Sequence, residues 1–200
     1  MTATVTSALE ALIELARGWC QSHPVDLAVP RKTCADLAIY MAEAGHDLLK
    51  DITDSFDDRH AYPERPMIQL AGKNEGEPTI WLLGWRAGEL TPIHDHEDSE
   101  VGIHVFEGAV TEYIYVPTKP LKQAGDESDY RMVQRELLQG STVRVTSPYT
   151  HVFAKTCIGH DCIHATTIHC YYPRLLTMNF YELTPDGERL RYQGVWKDEG

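Results

Sequence analysis

Two histidines flank one aspartate in His94-Asp95-His96. In extended backbone, side chains at i and i+2 point to the same side. Both imidazoles then face one way, and each can offer a lone pair to a single cation. By itself the pair is a weak signal, because surface histidines also occur at this spacing. A second constellation alternates along Thr167-Ile168-His169-Cys170-Tyr171. On a strand, Thr167, His169 and Tyr171 share a face at a repeat of roughly 6.5–7 Å, close enough for a hydroxyl–imidazole–phenol relay. A half-buried strand with satisfied polar groups reads the same way, so the elements that position these residues decide between the two.

Those elements change character near residue 60. Before it, Ala8, Leu9, Leu12, Ile13, Leu15 and Ala16 recur at helical spacing, with Thr6 or Ser7 able to cap the start. A second helical stretch covers about 33–51, after a proline-containing loop. His23 and His46 read as surface or packing residues. From about 67 onward, short apolar runs such as MIQL, TIWLLGW, VGIHVF, VTEYIYV and TTIHCYY alternate with turn residues. Turns are expected at Lys73-Asn74-Glu75-Gly76, Gln139-Gly140 and Pro185-Asp186-Gly187. Eight to ten short strands at this spacing indicate a sandwich or barrel. The polar stretch 117–130 is expected to be an exposed excursion.

Composition removes several classes of function. The 200 residues carry 18 Lys+Arg against 30 Asp+Glu, a formal charge of −12. There is no basic cluster of the kind that phosphate backbones or anionic lipids require, and no segment of about 18 consecutive apolar residues. Nucleic-acid and membrane partners are not expected. The N-terminal stretch lacks the pattern of a secretory signal. The five cysteines form no CxxC pair, which fits free thiols and a cytoplasmic location. The acidic charge is compatible with a monomer or weak oligomer.

The histidine pair lies in a longer pattern: Gly88, five residues, His94-x-His96, four residues, Val101, six residues, Gly108. This resembles the first motif of the cupin family, with Val101 where that motif normally has a glutamate. Gly140, seven residues, Pro148-Tyr149-Thr150-His151 resembles the second cupin motif, which supplies a third histidine. The resemblance spans roughly 60–175. It implies an all-β core, a double-stranded β-helix (jelly-roll) barrel with two N-terminal α-helices. The whole of 1–200 is then one domain, with a helical segment over 1–58 packed on a barrel of 60–200 that ends in a hairpin.

Glu100 stands next to Val101, and a metal set of three histidines plus glutamate is the alternative to three histidines alone. Strand parity disfavours the glutamate. Val101, Ile103 and Val105 form the apolar face, which a barrel turns inward; Glu100, Gly102, His104 and Phe106 form the other. The metal set is therefore read as His94, His96 and His151. Three neutral imidazoles on one octahedral face leave three open positions and the ion's full charge. That charge favours anionic donors, a thiolate above all. Nitrogen donors also suit zinc, copper and nickel.

Taken with the Thr-x-His-x-Tyr strand and an upstream arginine, these residues resemble the thiol dioxygenases, of which cysteine dioxygenase is the best known. Ile93-His94-Asp95-His96-Glu97-Asp98-Ser99 is similar to that family's metal loop, and Leu82-Leu83-Gly84-Trp85 and Tyr62-Pro63-Glu64-Arg65 occupy corresponding places. The resemblance implies Fe(II), dioxygen, and oxidation of a small thiol-bearing acid, cysteine first, to a sulfinic acid. Arg65, with Tyr62, would bind the substrate carboxylate, and Arg86 is a second candidate. Tyr171 would hydrogen-bond to dioxygen or substrate, held by His169 and Thr167. Animal members carry a cysteine at the place of Val101, cross-linked to the tyrosine; here, as in bacterial members, that link is not expected. Cys157-Ile158-Gly159-His160-Asp161-Cys162-Ile163-His164 looks like an inserted ordinary loop, although its Cys and His residues also allow a zinc reading. The alternatives are another cupin oxygenase, with an atypical thiol or a C–C bond as substrate, and a non-catalytic metal-binding cupin.

Overall fold

The computed structural model describes residues 3–22, 30–56, 66–72, 77–146, 150–154 and 165–197. Three helices come first: α1 (Ala3–Ser22), α2 (Pro30–Ala44) and α3 (His46–Thr53). Among the described residues twelve strands follow. They are β1 (Met67–Ala71), β2 (Thr79–Trp85), β3 (Ile93–His94), β4 (Glu100–Glu107), β5 (Ala109–Pro117), β6 (Glu127–Ser128), β7 (Tyr130–Leu138), β8 (Thr142–Val145), β9 (Thr150–Ala154), β10 (Ala165–Tyr172), β11 (Thr177–Leu183) and β12 (Leu190–Lys197). They pair antiparallel into two sheets, one in the order β1-β2-β10-β4-β8 and the other β6-β12-β11-β3-β9-β5-β7. The expected double-sheet jelly roll is thus present, with every long apolar run in a strand. No helix among the described residues is long and apolar enough to cross a membrane.

The five-stranded sheet is buried on both faces, which explains its near-continuous apolar runs. From β2, β4 and β10, Ile80, Leu82, Phe106, Ile168 and Cys170 pack with Leu12, Leu37, Met41 and Ile52 of the helices. The alternate residues Leu83, Trp85, Val101, Ile103, Val105, Ala165 and Tyr171 form a second core between the sheets. Parity thus divides each central strand into a helix-facing half and a barrel-facing half. Val101 and Glu100 fall on the sides the sequence pattern assigned to them. Val101 is fully buried in the inter-sheet core, and Glu100 faces Arg144 at 3.5 Å.

Helix α2 lies almost directly on β4. A Cβ at Gly102 would stand 2.3 Å from the carbonyl carbon of Cys34 and 2.4 Å from the amide nitrogen of Ala35. Both obstacles are backbone, so no rotamer change relieves them. Gly102→Ala is expected to cost roughly 3 kcal/mol or more, the upper end for overpacking, read as a lowered midpoint in chemical denaturation. Cys34 and Cys170 are buried free thiols in this layer. Burial, and next the charge of Glu100, pushes the Cys34 thiol up to about 12, which keeps it protonated and unreactive.

The helical region differs from expectation in one respect. The stretch 33–51 is two helices, so there are three N-terminal helices and not two. The break falls at Gly45, where α1 comes close: a Cβ there would meet Leu12 Cδ2 and the Met41 carbonyl oxygen, each at 2.7 Å. Gly45 leaves helical geometry at φ −98° and ψ 10°, and α3 then starts afresh with Leu49 and Ile52 buried. The strands β3 and β6 are two-residue pieces, too short to leave an alternation in the sequence. The second of them lies inside the polar excursion and pairs with β12. The expected turns at Gly140 and Gly187 are present, with φ of 83° and 73°. That at 73–76 and the loop 157–164 lie outside the described residues.

Candidate metal centre and active site

Antiparallel pairing brings the histidines together. His94 on β3 and His151 on β9 are direct register partners, and His96 follows two residues after His94. The three ring centroids form a nearly equilateral triangle: 4.9 Å for His94–His96, 4.8 Å for His94–His151 and 4.9 Å for His96–His151. All three side chains are buried, and one ligand atom from each lies within 4.8 Å of the others.

The hydrogen bonds of the outer ring nitrogens fix which atoms point inward. His94 Nδ1 lies 2.9 Å from the Pro92 carbonyl oxygen. A carbonyl only accepts, so Nδ1 carries the proton, and in the neutral ring Nε2 keeps a bare lone pair. His151 Nδ1 donates in the same way to Glu112 Oε1 at 2.9 Å. His151 Nε2 then sits 3.4 Å from His96 Nε2. Burial, reinforced by His151 and His94, holds the His96 imidazole well below its ordinary range and therefore neutral. Lone pairs converging in a dry pocket repel one another unless a cation lies between them. A separation of 3.4 Å suits two ligands of one ion with bonds of about 2.1 Å. The donor set therefore fits a metal held by three neutral nitrogens.

Two supports hold this triangle. Asp95, of opposite parity to the histidines, accepts from Asn179 Nδ2 at 3.0 Å, from the Tyr181 hydroxyl at 2.6 Å and from the Glu97 amide at 3.0 Å. These bonds pin the His94–His96 turn to β11. Behind His151, Glu112 on β5 is fully buried, and its other oxygen accepts from Arg135 on β7. Burial alone would raise the Glu112 carboxyl. The hydrogen bonds from His151 and Arg135 outweigh it and hold the group below its ordinary value. Glu112 was not singled out by the motifs. The available signal was a carboxylate sharing the inward parity of Val110 in the VTEYIYV run. Glu112→Gln keeps the shape but removes the negative charge that accepts the His151 Nδ1–H hydrogen bond. The expected result is a metal affinity lower by about 10- to 100-fold, measured by competition with a chelator, in a protein that still folds.

The second constellation lies across the barrel, on β10. Tyr171 has its ring 5.0 Å from that of His96, joining it to the histidine cluster. Its hydroxyl is 3.3 Å from His169 Nδ1, and His169 Nε2 is 2.9 Å from Thr167 Oγ1. The relay continues one step beyond the sequence pattern: Trp85 Nε1 donates to Thr167 Oγ1 at 2.8 Å. Val101, on the neighbouring β4, is the register partner of Tyr171.

The histidine cluster and the relay meet at a cavity of about 530 Å³ between the sheets, onto which His94, His169 and Tyr171 open. Arg86 is not among its described lining residues. It follows the last residue of β2 on the helix-facing parity, and its guanidinium donates to the Phe56 carbonyl at 3.1 Å and pairs with Glu89 at 3.6 Å. Tyr62 and Arg65 lie outside the described residues. His104 bonds Thr142 at 2.8 Å, away from the cluster.

No curated protein matches this chain. Solved structures that resemble it include an uncharacterised conserved protein with a double-stranded β-helix domain from Klebsiella pneumoniae. That protein is 12% identical, with a TM-score of 0.45, over 64% of this chain and 87% of that one. A protein from Thermus thermophilus is 15% identical, with a TM-score of 0.41, over 56% and 87% of the two chains. Vicilin from Capsicum annuum is 15% identical, with a TM-score of 0.41, over 54% of this chain and 28% of its own. The sequence profile described as "Cysteine dioxygenase type I" matches residues 59–184, well over half of the chain and inclusive of all three histidines, the Thr-His-Tyr strand and Glu112. The chain belongs to the cysteine dioxygenase type I family.

Proposed function

We propose that this protein is an Fe(II)-dependent dioxygenase that converts the thiol of a small thiol-bearing acid to a sulfinic acid. The observation that carries the proposal is a cluster of three buried imidazoles that meets, at one cavity, a phenol at the end of a hydrogen-bond chain. Both atoms of one dioxygen end on sulfur, so R–SH becomes R–SO2H and no external reductant is needed. His94, His96 and His151 would hold the ion, which would supply a Lewis-acidic, redox-active centre for a thiol and dioxygen.

The protein's own groups set the protons. Trp85 Nε1 can only donate, so Thr167 Oγ1 accepts from it. The Thr167 hydroxyl then gives its own proton to His169 Nε2, its acceptor among the described residues. That bond places the His169 proton on Nδ1, which donates to the Tyr171 oxygen. Tyr171 is thereby oriented as a donor toward the substrate or dioxygen. Arg65 is assigned to the substrate carboxylate by its place in the motif, as a planar two-toothed partner.

The test is direct. Protein loaded with Fe(II) is given a panel of thiol acids, and oxygen uptake is followed with mass spectrometry of the products. A product heavier by two oxygen atoms is the expected result. Oxygen uptake with no sulfinate would overturn the reaction, and metal binding without turnover of any thiol would leave a binding module.

A further inference from the structure

We propose that the thiol oxidised here carries a bulky apolar body, the size of an aromatic ring or larger, and not the short polar frame of cysteine; this rests on the thiol-oxidising reading above. The cavity measures about 530 Å³, within the range that encloses ligands of drug-like size. Cysteine has only seven non-hydrogen atoms. It would leave most of that space to water lying against apolar walls.

The chemistry of the walls points the same way. Around the histidines, the cavity is bounded by Trp81 and Leu83 of β2, Met178 and Phe180 of β11, Leu175, and Trp196 of β12. These are aromatic and thioether surfaces, which gain most from covering a flat apolar group. The described lining residues include no carboxylate, so none of them offers an ionic partner to an amino acid's ammonium. The polar ones gather near the metal cluster and on β1 and β2: Thr79, Thr91, His94, His169, Tyr171 and Gln69. Gln69 gives one of its two amide N–H groups to the Ala71 carbonyl at 3.2 Å. At the rim, Met67 and Trp196 remain 48% and 40% exposed, large apolar surfaces that an entering apolar body would cover.

A matched pair of ligands isolates the body from the head: thiolactate and its phenyl-substituted analogue, α-mercapto-β-phenylpropionate. Both have the same thiol and carboxylate. Each is titrated without oxygen into the Fe(II)-loaded full chain, followed by calorimetry and by quenching of tryptophan fluorescence, to which Trp81 and Trp196 in the wall would respond. Sulfinate formation is then measured in air. The phenyl analogue is expected to bind at least about tenfold more tightly, from the apolar area it buries. Met178→Trp, which fills part of the cavity, is expected to erase most of that preference. Equal or weaker binding of the phenyl analogue, with thiolactate or cysteine still oxidised, would overturn the apolar-body assignment and leave thiol oxidation intact. Failure of both ligands to bind or to be oxidised would remove the thiol reading and the inference with it.

Discussion

His151→Ala is expected to empty the metal site and abolish turnover. Three ligands is the fewest with which a site of neutral nitrogens grips an ion while leaving positions open. Taking one away leaves His94 and His96 on a single turn, with no donor from the other strand. Metal affinity should fall by about a thousandfold or more, on the scale of a lost first-row ligand bond, and oxygen uptake with any thiol should fall to background. The variant has a second consequence that His94→Ala lacks. His94 Nδ1 bonds a neutral carbonyl oxygen, whereas His151 Nδ1 bonds the fully buried Glu112 carboxylate. His151→Ala leaves that carboxylate with Arg135 as its side-chain partner among the described residues, so it should lose about 1–3 kcal/mol of stability in addition to the metal. His94→Ala should lose the metal at a smaller cost to the fold. Metal stoichiometry and urea denaturation of the two variants separate these effects. A His151→Ala protein that kept one equivalent of iron would remove the proposed centre.

That asymmetry marks the boundary of what the sequence made legible. His94 and His96 could be paired from strand geometry alone, because their relation is local. So could Thr167, His169 and Tyr171, whose shared face follows from period two. His151 lies in a distant segment. Nothing local says that it is the register partner of His94, and only the family's second motif pointed to it. Glu112 and Trp85 are harder still. Their roles depend on which strands lie behind the site, and that is decided by sheet order: β9 between β3 and β5, and β10 between β2 and β4. Each carried one faint mark, a polar or bulky residue at an inward position of an otherwise apolar run.

The split of the second helix has the same kind of cause. Residues 33–51 keep a helical period throughout, and a glycine inside such a pattern is tolerated. The break falls at Gly45, where α1 packs close enough to leave no room for a Cβ, a tertiary contact that the helical period does not reveal. Parity, in contrast, was legible through most of the barrel. The inward placement of Val101 and the outward placement of Glu100 follow from an alternation that the two cores enforce on β4 from opposite sides. Arg86 shows the same rule applied one residue past a strand. Being near the metal loop in sequence, it looked available to a substrate. Its parity turns it toward the helices and Phe56.

Tyr171→Phe is the sharper test of chemistry, because it removes one oxygen atom and nothing else. The ring keeps its packing against His96 and its place in the inter-sheet core. Iron content should therefore stay near wild type, and stability should fall only by the lost hydrogen bond from His169, about 1 kcal/mol. Turnover should fall by about 10²–10³, the range for a lost group that donates a proton or hydrogen bond to a reacting atom, with a smaller change in substrate affinity. The residues behind it act only by orientation, so their variants should be graded. Thr167→Ser keeps the hydroxyl that links Trp85 to His169 and should stay close to wild type. Thr167→Ala breaks the link, frees the His169 tautomer and should lower turnover while leaving iron bound. A structural role alone predicts the opposite order. In that case Thr167→Ala, which opens a gap beside a buried tryptophan, would damage stability, and Tyr171→Phe would be silent. If Tyr171→Phe turns over at the wild-type rate, the phenol has no part in the reaction, and the hydrogen-bond chain from Trp85 serves the fold alone.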